Sequence, residues 1–143
     1  MIASMTLQHF VDAQNPIYAQ ICQELRDGSK HSHWMWFVFP QIEGLGYSAM
    51  AQRYALHSLD EARAYLAHPL LGARLRECTA LVNRVEGKSI EAIFGYPDDM
   101  KFHSSMTLFA EADAGQLVFV EALRKYFGGE RDVATLERLR YPG

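Results

Sequence analysis

The 143-residue sequence predicts a mostly α protein, a compact multihelical single domain over residues 1–143, with short helices around one long central helix. Through most of the chain, apolar residues recur at steps of three and four, the spacing of one face of a helix. Capping residues precede many of these stripes, and glycine follows several of them, as at helix ends. Only WMWFVF and QLVFV have the composition of strands, and neither alternates cleanly between apolar and polar residues.

The first part of the chain is predicted to form two helices and an aromatic turn. Thr6 can cap the first helix. Asn15-Pro16 is typical of an N-cap followed by proline at the first helical position, and Gly28 is expected to end that second helix. Residues 30–41, KHSHWMWFVFPQ, contain both tryptophans, and Ser32 is predicted to cap a short aromatic helix there.

Further helices are predicted to start at capping residues. Ser58 and Glu61 have the spacing of a capping box. His68-Pro69 should begin the longest, central helix, and Gly87 should end it. The other predicted starts are Ser48, Ser89, Asp98 and Asp132, and an amphipathic pattern predicts one more helix from Gln116 to Phe127.

Composition limits the classes of partner. The formal net charge is −3 and no run of Lys and Arg occurs, so no nucleic-acid partner is expected. No apolar run reaches the roughly 18–20 residues that would span a bilayer, and the N-terminus lacks the pattern of a secretory signal. The expected location is therefore cytoplasmic. Cys22 and Cys78, which have no C-x-x-C spacing, are expected to be buried free thiols.

Two short motifs are candidate ligand sites. His31-x-His33 could present two imidazoles to a metal, but no third and fourth ligand lies nearby in sequence, and no metal is predicted. Gly44-x-Gly46-x-x-Ala49 matches the glycine pattern of dinucleotide-binding turns, although no βαβ unit surrounds it. No cofactor is predicted. A glycine loop beside a helix N-terminus can still receive an anion without that fold.

The segment DDMKFHSSMTLF, residues 98–109, concentrates polar side chains on a predicted helix. Asp98, Lys101 and Ser105 fall on one side of it at helical spacing, and His103 lies on another row. These groups suit acid–base chemistry or anion recognition. The alternative is structural: Asp98 caps the helix, Lys101 pairs with it, and Ser104 or Ser105 bonds back to the helix backbone.

Four motifs in the chain are GSKHSHWMWFVFPQ (28–41), GLGYS (44–48), HPLLGARL (68–75) and FGYPDDMKFHSSMTLF (94–109). Together they resemble an uncharacterised bacterial family, catalogued as domain of unknown function 1810, whose members are sometimes labelled calpastatin. The resemblance covers about residues 10–139 and implies a largely helical single-domain fold without an established activity, substrate or cofactor. The order of elements is also loosely similar to helical hydrolases that act on N-glycosidic and ADP-ribose linkages, although none of their motifs is present.

The favoured hypothesis is a pocket for a small anionic metabolite, either nucleotide-like or of another kind. Aromatic side chains would form one wall, and cations would meet the anion. This hypothesis requires that Lys30 or His33 lie within reach of Lys101 or His103 around a concave site. The predicted ligand-binding residues are Lys30, His33, Trp34, Trp36, Gln41, Ser104 and Ser105.

The sequence is compatible with two kinds of activity, hydrolysis of the bound metabolite and non-catalytic interaction with another protein. If the protein is a hydrolase, Asp98 or His103 is predicted to be the general base, with Lys101 stabilising developing negative charge. The competing hypothesis is a non-catalytic interaction module, in which the aromatic segment belongs to the core or to a partner-binding patch. The sequence does not determine the oligomeric state.

Overall fold

Ten helices form the regular structure of residues 2–141, which this computed structural model describes, with side chains from Leu7 onward. One isolated parallel bridge pairs Ile42 with Leu56, and no strand occurs within the same range. The mostly α prediction is confirmed. The helices are α1 (Ile2–Gln14), α2 (Tyr18–Arg26), α3 (Met35–Val38), α4 (Ala49–Arg53), α5 (Leu59–Ala67), α6 (Leu71–Arg84), α7 (Ile90–Phe94), α8 (Asp98–Ala112), α9 (Leu117–Phe127) and α10 (Val133–Arg140).

The central helix is α8, which packs against α5, α7, α9 and α10. It has 15 residues, against 14 in α6, the helix that follows His68-Pro69 and that the sequence favoured for this position. Nine of its residues are buried, among them serines, threonine and alanines as well as phenylalanines. Because burial extends around most of the helix, no single apolar stripe marks it as central.

Four of the predicted N-caps are confirmed: Ser48, Ser58, Ser89 and Asp132 each accept a hydrogen bond from the amide N–H three residues later. The capping box differs in one detail, since the Glu61 carboxylate accepts the N–H of His57 at 2.9 Å. Such caps depend on residues close in sequence, which is why sequence alone locates them.

Several other predicted caps were wrong. The first helix begins before Thr6, at Ile2. Asn15 does not cap α2, because its N–H still bonds the Val11 carbonyl of α1 and the N-cap position falls at Ile17. Asp98 is the first residue of α8 and forms ion pairs instead of a side-chain cap.

Ser32 does not cap the aromatic turn either. The N-cap of α3 is Trp34, without a side-chain hydrogen bond, and the Ser32 hydroxyl donates to Glu24 Oε2 at 2.7 Å. Both cysteines, Cys22 and Cys78, are buried free thiols, as expected. None of the helices in the described range is long and apolar enough to cross a membrane.

Candidate functional site

A cavity of about 430 Å³ opens between the aromatic turn, the glycine loop and the first half of α8. It brings together five of the residues that the sequence singled out. Its rim also carries Tyr47 and Tyr96, which are 83% and 74% exposed. The five predicted residues at the cavity are Trp36, Gln41, Lys101, His103 and Ser104.

Lys101 and Trp36 face each other at this cavity. The Lys101 ammonium lies 4.9 Å from the centroid of the Trp36 ring, which is within cation–π distance. The lysine comes from the first turn of α8, and the tryptophan comes from α3, 65 positions earlier in the chain. The arrangement places a positive charge against a flat apolar surface.

Asp98 joins the two lysines of the predicted site. Its Oδ2 lies 2.8 Å from Lys30 Nζ, and its Oδ1 lies 3.5 Å from Lys101 Nζ. The Lys30 side chain is only 6% exposed, whereas that of Lys101 is 24% exposed and reaches the cavity. Two ammonium groups therefore share one carboxylate, and these three groups together carry one positive charge. Both Asp98 oxygens are engaged, which opposes a role for this residue as a free general base.

The loop that carries Lys30 is held by a buried carboxylate on α2. Glu24 Oε1 accepts the backbone N–H groups of His31 and Ser32 at 2.8 and 3.1 Å. Burial alone would raise the pKa of Glu24, but hydrogen bonds from Gln20, His31 and Ser32 outweigh it and lower the pKa to about 2. Lys30 is fixed further by its own N–H, which donates to the Ile93 carbonyl at 2.8 Å.

Trp34 lies in the core and does not line the cavity, contrary to the predicted ligand contact. It is 0% exposed, and its indole N–H donates to Glu24 Oε1 at 3.0 Å. Two positions along a helical turn differ by about 200°. Trp36 therefore faces the cavity while Trp34 faces the core, where Lys30 lies 5.1 Å from its ring centroid.

Two more predicted ligand residues lie away from the cavity. His33 is exposed and is not part of the cavity lining. Ser105 is 0% exposed, and its hydroxyl has no hydrogen-bond partner among the described residues. Its neighbour Ser104 reaches the cavity because successive helical positions differ by about 100°.

His103 is oriented by two contacts. Its ring stacks on Phe127 with centroids 3.9 Å apart and an interplanar angle of 5°. Its Nε2 lies 2.8 Å from the Glu130 carbonyl oxygen, so Nε2 carries the hydrogen and donates it. The lone pair then belongs to Nδ1, the one ring nitrogen that can accept a proton.

Asp132 is the main cavity residue whose role sequence reasoning missed. It was predicted only as the cap of α10, which it is, but it also lines the cavity. Its Oδ2 accepts the hydroxyl of Ser104 at 2.8 Å and that of Thr135 at 2.6 Å. No local pattern joins positions 104 and 132, so only the fold brings them together.

The rim tyrosines carried a weak signal in the sequence. Tyr47 lies inside the glycine loop, and Tyr96 lies between Gly95 and Pro97. Loops often carry binding residues, which makes a tyrosine beside a glycine turn a candidate. No group of three or more His, Cys, Asp or Glu side chains within the described residues is placed to hold a metal.

Comparisons with known proteins agree with the fold. The model of a family described as protein of unknown function (DUF1810) matches residues 4–139. The chain is also similar to the conserved hypothetical protein Rv1873 from Mycobacterium tuberculosis, whose crystal structure superposes with a TM-score of 0.93. The two share 57% identity over 94% of this chain and 96% of that one. No curated protein matches the chain.

Proposed function

Because the chain belongs to the family described as protein of unknown function (DUF1810), we propose a function from its site alone: binding of a small anionic metabolite with a flat ring, such as a nucleotide. The observation that carries this proposal is the Lys101 ammonium, 4.9 Å from the Trp36 ring centroid at the edge of a cavity of about 430 Å³. That volume lies in the range of cavities that take small-molecule ligands.

The ring of the ligand would lie against aromatic side chains. Trp36 offers a half-buried face, and Tyr47 and Tyr96 stand at the rim with most of their surface exposed. Aromatic residues favour offset stacking with flat ligands, and burial of apolar area adds to it. The side-chain amide of Gln41 can both donate to and accept from the edge of such a ring.

The anionic group would meet Lys101. This ammonium shares Asp98 with Lys30, so the three groups keep one excess positive charge. The charge lies near an apolar ring surface that lowers the local dielectric and strengthens attraction to an anion. The Asp132 carboxylate also lines the cavity and would repel an anion, so the anionic group is expected beside Lys101 and away from Asp132, whose Oδ2 accepts hydrogen bonds from Ser104 and Thr135.

Hydrolysis would be a further step beyond binding, and His103 is the residue best suited to it. Donation from Nε2 to the Glu130 carbonyl leaves Nδ1 as the acceptor, which is the arrangement of an oriented general base. Asp98 is less suited because lysines contact both of its oxygens. Incubation of the protein with adenosine 5′-monophosphate, followed by chromatography, tests for hydrolysis. A product that forms with the wild type but not with His103→Gln supports it, and unchanged nucleotide argues against it.

The alternative, a protein-interaction module, draws support from the same rim. Tyr47, Tyr96 and Met100 are large, exposed side chains that all line the cavity. Exposed apolar groups gathered in one place are typical of interaction surfaces as well as of ligand sites. A partner surface would depend on these rim residues, whereas a nucleotide pocket would depend on Lys101 and Trp36.

Thermal unfolding with adenosine, adenosine 5′-monophosphate and ribose 5-phosphate tests the binding proposal. A ligand present at about 100 times its Kd stabilises the fold by ~2.7 kcal/mol, which raises Tm by roughly 5 °C or more in a chain of this length. We expect the monophosphate to give the largest shift, because only it supplies both ring and anion.

Two variants make the test specific. Lys101→Gln should weaken monophosphate binding by ~10-fold, since it removes a charge-assisted hydrogen bond. The fold should persist, because Asp98 keeps its shorter pair with Lys30. Arg84→Gln removes an exposed cation at the end of α6, beside a different surface depression, and should leave the shift unchanged. No shift with any ligand, or equal shifts in Lys101→Gln and wild type, would contradict the proposal.

A further inference from the structure

We propose that Arg138 forms a second anion-binding subsite beside the Trp36–Lys101 cavity, so that the preferred ligands carry a flat ring and two separate anionic groups. This inference rests on the proposed function, since it extends the same ligand into an adjoining space. It concerns Arg138 on α10 and Gly44 in the glycine loop, two residues that the proposed function does not use.

A second cavity of about 330 Å³ adjoins the first. The two have four lining residues in common, all from the glycine loop and its flanks: Gln41, Gly46, Tyr47 and Ala51. Shared lining places the two spaces side by side along residues 41–51. A ligand that extends past Tyr47 would therefore pass from one space to the other.

Arg138 lines the second cavity with most of its hydrogen-bonding capacity unused. It is half-buried, and its Nε–H donates to the Glu43 carbonyl oxygen at 3.0 Å. Within residues 7–141 its two Nη atoms donate no hydrogen bond, and the residue forms no ion pair. The carboxylate of Glu43 lies 3.4 Å from His57 Nδ1 instead. A guanidinium held at Nε keeps a planar pair of donors, the geometry that phosphate and carboxylate groups accept.

Gly44 leaves room for this guanidinium beside the loop backbone. A Cβ at Gly44 would lie 2.6 Å from Arg138 Nε and 2.8 Å from its Cζ, closer than side chains approach each other. Gly44 also has a φ of +91°, a backbone angle that residues other than glycine rarely adopt. The absence of a side chain at position 44 thus gives the guanidinium its place against the loop backbone.

Each of the adjoining spaces therefore offers one cation to a ligand. Lys101 reaches the first from α8, and Arg138 reaches the second from α10. Tyr47 lines both and is 83% exposed, so its ring can accompany a ligand that spans them. A ligand with one anionic group can use only one cation, whereas a ligand with two can use both.

The test compares adenosine 5′-monophosphate with adenosine 3′,5′-bisphosphate by isothermal titration calorimetry. In the wild type, the bisphosphate should bind ~10-fold more tightly, as expected for one added charge-assisted contact. In Arg138→Gln the ratio of the two affinities should fall to about one. Arg138→Lys, which keeps the charge but loses the planar pair of donors, should give a ratio between those two. Arg84→Gln, the matched control, should keep the wild-type ratio.

The possible failures can be told apart. Equal wild-type affinity for both nucleotides overturns the Arg138 subsite while the proposed function stands. A wild-type ratio that persists in folded Arg138→Gln also overturns it, since another group would then hold the second phosphate. If the wild type binds neither nucleotide, the proposed function fails and this inference fails with it. Thermal unfolding of each variant without ligand checks that it is folded.

Discussion

The carboxylate of Glu24 should stabilise the fold in a pH-dependent way, and Glu24→Gln should remove that effect. Glu24 is 6% exposed, and its carboxylate accepts five hydrogen bonds, two from backbone N–H groups and the others from Gln20, Ser32 and Trp34. Its pKa falls from an ordinary value of 4.5 to about 2. At about 1.4 kcal/mol for each pH unit, that difference corresponds to about 3 kcal/mol of stability.

The sign of the pH dependence follows from the lowered pKa. The contribution is fully present above about pH 4.5, where the carboxylate is ionised in both states, and it is lost as the pH falls to about 2. A glutamine at position 24 has one acceptor oxygen, and its NH₂ group would meet the NH₂ group of Gln20. We therefore expect Glu24→Gln to lower the free energy of unfolding by ~3 kcal/mol at pH 7 and to flatten its pH dependence below pH 5.

Urea unfolding at pH 7, 5 and 3 measures both effects. The matched control is Glu121→Gln, an exposed carboxylate on α9, which should change the free energy of unfolding by less than ~0.5 kcal/mol. The expectation is refuted if Glu24→Gln loses no more stability than this control at pH 7. It is also refuted if the free energy of unfolding of Glu24→Gln changes with pH in the same way as that of the wild type.

Two further substitutions test packing and charge through the same unfolding measurement. Asp98→Asn should lower the free energy of unfolding by ~2 kcal/mol or more, because it leaves the Lys30 ammonium, 6% exposed, without its counter-charge. Asp60→Asn is the matched control, since Asp60 pairs with Arg63 but its side chain is 92% exposed, and it should cost less than ~0.5 kcal/mol. Equal losses would contradict the burial argument. Gly72→Ala should cost at least ~2 kcal/mol, since a Cβ there would lie 2.1 Å from the Leu66 carbonyl oxygen; wild-type stability would mean that α5 and α6 separate easily.

The helices could be predicted from sequence where their signals are local. Ser48, Ser58, Ser89 and Asp132 each bond to an amide three positions away, so the relevant residues lie within one short stretch. Asn15 shows the limit of that reasoning. It has the residue type of a cap and a proline beside it, but its N–H continues the hydrogen bonding of the preceding helix.

The candidate site could be predicted only in part, because its contacts are distant in sequence. The segments around Trp36 and Lys101 were recognised by their composition, and the fold brings both to one cavity. Whether Trp34 or Trp36 would face it depends on how α3 is rotated against the core. Asp98 does not cap its helix but forms an ion pair with Lys30, 68 positions earlier in the chain. No periodicity reports such a pair.

The glycine loop was identified by a pattern whose usual meaning does not apply. Gly44-x-Gly46-x-x-Ala49 matches a dinucleotide turn, but the described chain has no strand before it. At Gly44 the backbone itself favours glycine, because φ is +91°, and the guanidinium of Arg138, almost a hundred positions later, lies in the space that a side chain would occupy. Close approach by a distant residue gives the same sequence signal as close approach by a phosphate.

A crystal structure of the protein soaked with adenosine 5′-monophosphate tests the central claim most directly. We expect electron density for the base against the Trp36 ring and for the phosphate at ~3 Å from Lys101 Nζ. A nucleotide bound elsewhere, with Trp36 and Lys101 untouched, would contradict it.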